Sequence, residues 1–233
     1  MDPESRQTIH MGINFVFAPT PTMSKVSNLK FQQALMAAGI EYTEVRLLEY
    51  GIEVQCGTVT PLVIKVIGGD PRIGQLLILA PQARGMLGLD MFIKESEAAV
   101  RAFEDTWGTN RQILTSDVTI RDLFHSTREH GFQEIWEDRL GQSRDTLSVL
   151  GPIVQGGGLR LVIPPLISDP QPVEIELKIE SFLRDTHKIW IETVFKWPQA
   201  RSPHERMEPA SQLRLVDKYI EERVIRFMTE GRI

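Results

Sequence analysis

Residues 173–197 read VEIELKIESFLRDTHKIWIETVFKW, and their strict alternation leaves little freedom of structure. Val173, Ile175, Leu177 and Ile179 fall on one side of an extended chain, with Glu174, Glu176, Lys178 and Glu180 on the other. After the turn, Ile189, Ile191, Thr193, Phe195 and Trp197 share a side opposite Trp190, Glu192, Val194 and Lys196. Period-two alternation describes an antiparallel hairpin with one face buried and one face open.

Charge chooses its register. A loop of Arg184–Thr186 sets Lys178 opposite Glu192 and Glu174 opposite Lys196. A loop of Asp185–His187 sets Glu180 opposite Glu192 instead. Unlike charges across a strand pair stabilise by a few tenths to about 1 kcal/mol, and like charges oppose by as much. The first register is therefore expected.

The same patterns, read along the whole chain, give an α+β protein. A strand at Ile13–Ala18 precedes a helix over 27–39, capped by Ser27 or Asn28. Strand-like runs follow at 43–56, 61–67 and 74–80, the last two joined by GGDPRIG at 68–74, which reads as a hairpin loop. A helix over 90–107 buries Ile93, Ala99, Val100, Phe103 and Trp107. A second series opens with a strand at 111–118, a helix over 119–131 and a short helix over 132–141. Strand-like runs at 146–150, 158–164, 173–183 and 188–197 come next. A closing helix over 209–229 presents Leu213, Val216, Ile220, Val224 and Phe227 as its stripe.

This order predicts two similar halves, each a curved antiparallel sheet packed by a long closing helix. Their bounds are 12–109 and 110–233, after a flexible leader over 1–11. The alternative is one continuous antiparallel sheet with helices on one face.

Few chemical motifs stand out. Gly156-Gly157-Gly158 runs into Leu159–Ile163, which alternates as a strand, and no Gly-Lys-Ser/Thr or following helix appears. A phosphate cradle needs such a helix start, so these glycines are expected to serve a bend or a close backbone approach. His125 and His130 are five apart, a spacing that places them on different faces of a helix, and His10, His187 and His204 are scattered. No metal site and no cofactor is expected. Cys56 is the only cysteine, which excludes an internal disulfide and points to a cytoplasmic location and a buried, inert thiol. No Gly-x-Ser-x-Gly elbow is present, and no catalytic residue is assigned.

The formal charge of −5, from 26 basic and 31 acidic residues, argues against nucleic acid. No segment has the length and apolarity of a membrane span. The function expected is that of a non-enzymatic binding or assembly protein, with a protein partner or a second copy of the chain. It would act through a sheet face or a helix–sheet cleft. The binding candidates are Phe182, Trp190 and Val194, apolar side chains on the charged face of the hairpin, with Glu192 beside them and Arg160 on the preceding strand. The alternative is an enzyme or small-molecule binder with a cavity between sheet and closing helix.

Overall fold

In a computed structural model the chain forms one antiparallel sheet of nine strands with its helices on one face. The structure describes residues 1–56, 62–68, 72–81, 88–151, 154–166, 168, 171–202 and 205–230. The elements run β1 (Asp2–Ala18), α1 (Lys25–Ala37), β2 (Tyr42–Leu48), β3 (Gly51–Cys56), β4 (Leu62–Ile67), β5 (Gly74–Ala80) and α2 (Leu89–Trp107). They continue with β6 (Gln112–His125), α3 (Gly131–Gln133) leading into a π turn (Glu134–Arg139), and a 3-10 turn (Arg144–Leu150). Next are β7 (Gly158–Ile163), β8 (Glu174–Ser181) and β9 (Lys188–Trp197). The chain closes with α4 (Pro209–Tyr219), a π turn (Ile220–Val224) and α5 (Ile225–Thr229).

Across the sheet the strand order is β2-β3-β4-β5-β1-β6-β9-β8-β7. The hairpin adopts the register that charge favours, with Glu174 opposite Lys196 and Lys178 opposite Glu192. Glu180 faces Trp190, not Glu192. The sheet passes without a break from β5 through β1 to β6, so a continuous sheet joins the two sequence halves.

The core lies between the sheet and the helices. Phe15, Phe17, Ile64, Ile78, Val118, Ile120, Ile179 and Ile191 point to the helix side and are fully buried or nearly so. From α2, Phe103 meets Phe17 at 5.1 Å between ring centroids, and Trp107 meets Phe31 of α1 at 5.1 Å. Tyr219 of α4 stands edge-on to Phe195 of β9, also at 5.1 Å. Gly108, with φ at +83°, ends α2 in the left-handed region that glycine enters without a Cβ penalty.

Several expectations are corrected. Residues 2–11 are not a flexible leader; they are the first part of β1. Residues 119–125 are strand, not helix, and the helix begins only at Gly131. Both errors have one cause. Arg6, Thr8 and Asp122 occupy positions on the helix side of the sheet, and polar residues there break the alternation that marks a strand. Residues 146–150 belong to a 3-10 turn whose start is capped by the Ser143 hydroxyl, which accepts from the Asp145 N–H at 3.1 Å. The cap of α1 is Ser24, with Ser27 completing a reciprocal capping box from the third helical position. The run at 43–56 is two strands paired as a hairpin. The 68–74 loop lies partly outside the described residues, while β4 and β5 on either side of it are paired antiparallel.

The closing helix also departs from its expected stripe. Leu213, Val216, Ile220 and Val224 are buried, but Phe227 is exposed and Met228 takes the buried position. The π turn at Ile220–Val224 is wider than an α turn, so steps of four residues stay in phase through it.

Candidate functional site

The face of the sheet away from the helices is where the candidate residues meet. Strand pairing lines its side chains into rows. One row runs Arg160, Lys178, Glu192, Arg121 and His10 across β7, β8, β9, β6 and β1. The next runs Val162, Glu176, Val194, Thr119, Gly12, Leu79 and Val63. A third runs Glu174, Lys196, Asp117, Asn14, Leu77, Lys65 and Glu53.

Ion pairs knit the β6–β9–β8–β7 side of this face. Glu192 accepts from Lys178 Nζ at 2.7 Å and from Arg121 Nε at 2.6 Å. Glu176 lies 2.8 Å from Arg160 Nε, 3.4 Å from Lys178 Nζ and 3.3 Å from Lys196 Nζ. On the other side, Glu53 pairs with Lys65 at 2.7 Å and accepts from Gln55 at 3.0 Å. Across the middle of the face, half-buried Val16, Val63, Leu77 and Leu79 surround a polar chain in which Asn14 Nδ2 donates to Asp117 at 2.7 Å and Asn14 Oδ1 accepts from Gln75 Nε2 at 2.8 Å. Gly12 is hemmed in at the centre, because a Cβ on it would stand 2.8 Å from Leu79 Cδ2 and 3.3 Å from His10 Nε2.

The electrostatics follow from this geometry. Hydrogen bonds from Arg160, then from Lys196 and Lys178, hold the Glu176 carboxyl down at about 2, against the opposing effect of burial. Burial pushes the Glu192 carboxyl upward, but its bonds to Lys178 and Arg121 outweigh that and leave it below the usual range. Burial, with Arg121 nearby, lowers the His10 imidazole to about 4, while Glu192 works in the other direction.

These shifts have a measurable consequence. His10 has a folded-state pKa below its ordinary 6.5, so the unfolded chain binds the proton first and stability falls as pH drops from 6.5 towards 4. Glu176 adds stability that is complete above the ordinary carboxylate value of 4.5 and is lost as pH falls towards 2. Urea titrations across this range are expected to show an acid limb in two parts. His10→Gln flattens the upper part and Glu176→Gln the lower; unchanged slopes in both variants would contradict the assignment.

Each sequence-derived candidate has a definite place. Trp190 is half-buried between Leu123 of β6 and Glu180 of β8. Val194 is half-buried between Thr119 and Glu176, and Glu192 is buried within its ion pairs. Arg160 stands at the outer strand β7, tied to Glu176. Phe182 sits just beyond β8, its N–H bonded to the Lys188 carbonyl at 2.9 Å, so it belongs to the turn of the hairpin. Arg121 and His10 complete the row but escape a sequence reading that takes their segments for helix and leader.

The three glycines form no cradle. The Gly157 carbonyl accepts from the Ser181 N–H at 3.0 Å. A Cβ at Gly158 would lie 2.0 Å from the Ile179 carbonyl oxygen, and one at Gly157 3.0 Å from the Phe132 ring. They let the chain pass close to β8 and α3 as β7 begins.

On the helix side, a cleft of about 480 Å³ opens between the end of β9 and α4, lined by Trp197, Arg201, Glu205, Arg206 and Gln212. Beneath it, Ser116 Oγ accepts from Gln212 Nε2 at 2.8 Å and is 3.3 Å from Arg201 Nη2. His130 and His187 stack with ring centroids 6.3 Å apart, and no group of three metal-binding side chains occurs among the described residues. Cys56 is buried, and that burial, with Glu95 nearby, pushes its thiol up to about 12. His204 lies outside the described residues. No described helix is long and apolar enough to cross a membrane. Comparison with known proteins finds no family model that matches the chain and no curated protein that matches it significantly.

Proposed function

We propose that the chain is a non-enzymatic binding or assembly protein that engages a protein partner through the helix-free face of its sheet. The observation that carries this reading is the arrangement of that face: half-buried Val16, Val63, Leu77 and Leu79 gather at its centre around the Asn14–Asp117–Gln75 hydrogen bonds, with ion pairs of Glu53 on one side and of Glu176 and Glu192 on the other. An apolar centre with a polar surround is the anatomy of a recognition surface, and Trp190 supplies the type of side chain that most often dominates binding energy. The sheet also reads alike outward from its centre, β1-β5-β4-β3 on one side and β6-β9-β8-β7 on the other. This supports a pseudo-repeat of two units, 12–109 and 110–233, that contribute their first strands side by side.

Affinity capture with the wild-type chain and with Leu79→Asp and Trp190→Asp tests the reading. A partner retained by the wild type is expected to lose at least about tenfold in affinity, or about 1.4 kcal/mol, in each variant. Arg206→Ala in the helix-side cleft is expected to leave it unchanged. The opposite pattern would move the site to that cleft. The cleft favours a second reading, a small-molecule site, on the strength of Arg201 and Arg206 lining it together with Trp197.

A further inference from the structure

We infer that β7 is a dimerisation edge, pairing antiparallel with β7 of a second copy about a two-fold axis at Leu161. Among the described residues β7 pairs with β8 alone and forms one end of the sheet. The bond from the Ser181 N–H to the Gly157 carbonyl fixes the phase of that pairing. Odd-numbered residues of β7 exchange hydrogen bonds with β8, so the N–H and C=O groups of Gly158, Arg160 and Val162 point away from the sheet.

An unpaired edge is usually guarded by charge. The opposite edge, β2, exposes Leu47 and Leu48 but carries a surface ion pair among them, Glu44 with Arg46 at 2.7 Å. The β7 edge has one charge, Arg160, which is held by Glu176. Around it Leu161 is 38% exposed, Val162 55%, Ile163 41% and Leu166 72%, a concentration of apolar side chains on an edge with free backbone groups.

The sequence of β7 selects the second copy as occupant because one register suits it. Outward-pointing groups must meet each other, so even residues face even residues. Centring the axis on Arg160 would set two guanidinium groups opposite one another. Centring it on Leu161 sets Leu161 against itself, Leu159 against Ile163, and Arg160 against Val162, with two hydrogen-bonded residue pairs related by the axis. The apolar rows Leu159–Ile179, Leu161–Leu177 and Ile163–Ile175 then continue into the second sheet. Pro164, which has no N–H to offer, follows at the strand end. So short an edge buries less than the roughly 1,200 Å² of a standard interface, so the dimer is expected to be concentration-dependent.

Sedimentation over a concentration series tests this, with a limiting mass of twice 26.5 kDa expected at high micromolar concentration. Val162→Pro removes only an outward N–H and leaves the β7–β8 ladder whole; it is expected to shift the dissociation constant at least tenfold, while Val162→Thr leaves it unchanged. Leu161→Cys is expected to cross-link to a dimer on oxidation, and Leu159→Cys is not. A monomer at every concentration, a dimer indifferent to Val162→Pro, or a ladder of larger cross-linked species from pairing of β7 with β2 would each overturn the inference. Trp190→Asp is expected to leave the dimer intact, so failure here and failure of the face reading are distinguishable.

Discussion

Arg6→Met is expected to lower the free energy of unfolding by about 3–5 kcal/mol, because it leaves a buried carboxylate without its cation. Asp122 is fully buried. Its Oδ1 accepts from Thr8 Oγ1 at 2.6 Å and lies 3.2 Å from Arg6 Nε, while Oδ2 is buried with no hydrogen-bond partner. Arg6 also donates to Asp217 of α4 at 2.7 Å, so one guanidinium joins both central strands to the closing helix. Burial already holds the Asp122 carboxyl above its ordinary range, against the opposing pull of Arg6. Without Arg6 the folded-state value rises further. The deficit is therefore smallest in acid, where the folded carboxyl is protonated in both proteins, and grows as pH rises above the ordinary carboxylate range, between the two folded-state values. Arg6→Met combined with Asp122→Leu is expected to recover much of the loss, since replacing a whole buried pair is far milder than breaking it. Urea unfolding of the wild type and the two variants measures this; a loss below about 1 kcal/mol for the single variant would show that the network does not hold the sheet to the helix.

The second large effect is expected from Phe103→Ala, again about 3–5 kcal/mol. The ring is fully buried, 5.1 Å from Phe17 on β1 and 5.3 Å from Trp107, with the Arg111 guanidinium 5.3 Å from its centroid. Its removal opens a cavity where α2 meets β1, and Trp107 loses its support against Phe31 of α1. Phe227→Ala provides the contrast: that ring is 44% exposed, and its loss is expected to cost less than about 0.5 kcal/mol. Equal losses in the two variants would contradict the packing of both helices.

The contrast also marks how much was legible in the sequence. Where burial and period coincide, as in β8, β9 and the Ile93–Phe103 face of α2, the pattern alone yields element, face and even register. It fails at two kinds of place. One is the Arg6–Thr8–Asp122 network, where polar groups satisfy one another on the helix side and a strand loses its alternation. The other is the π turn, where the phase of a helix changes without a compositional mark and Met228 replaces Phe227. The candidate site was half legible for the same reason. Trp190, Glu192 and Val194 come from a well-patterned strand, whereas Arg121 and His10, across the same row, belong to segments that the buried network disguises.

The central position of β1 has a kinetic consequence. Its Met11–Phe17 segment is bonded to β5 on one side and β6 on the other, so Ile13 meets Ile78 and Val118 at once. Every ladder that touches β1 closes a loop of many tens of residues. Such non-local pairing places the chain among slow folders, in the millisecond-to-second range. During synthesis β1 can pair with β5 once residue 80 has emerged, but its other edge stays open until β6, ending at His125, has followed, and that interval is when this protein most needs protection from aggregation.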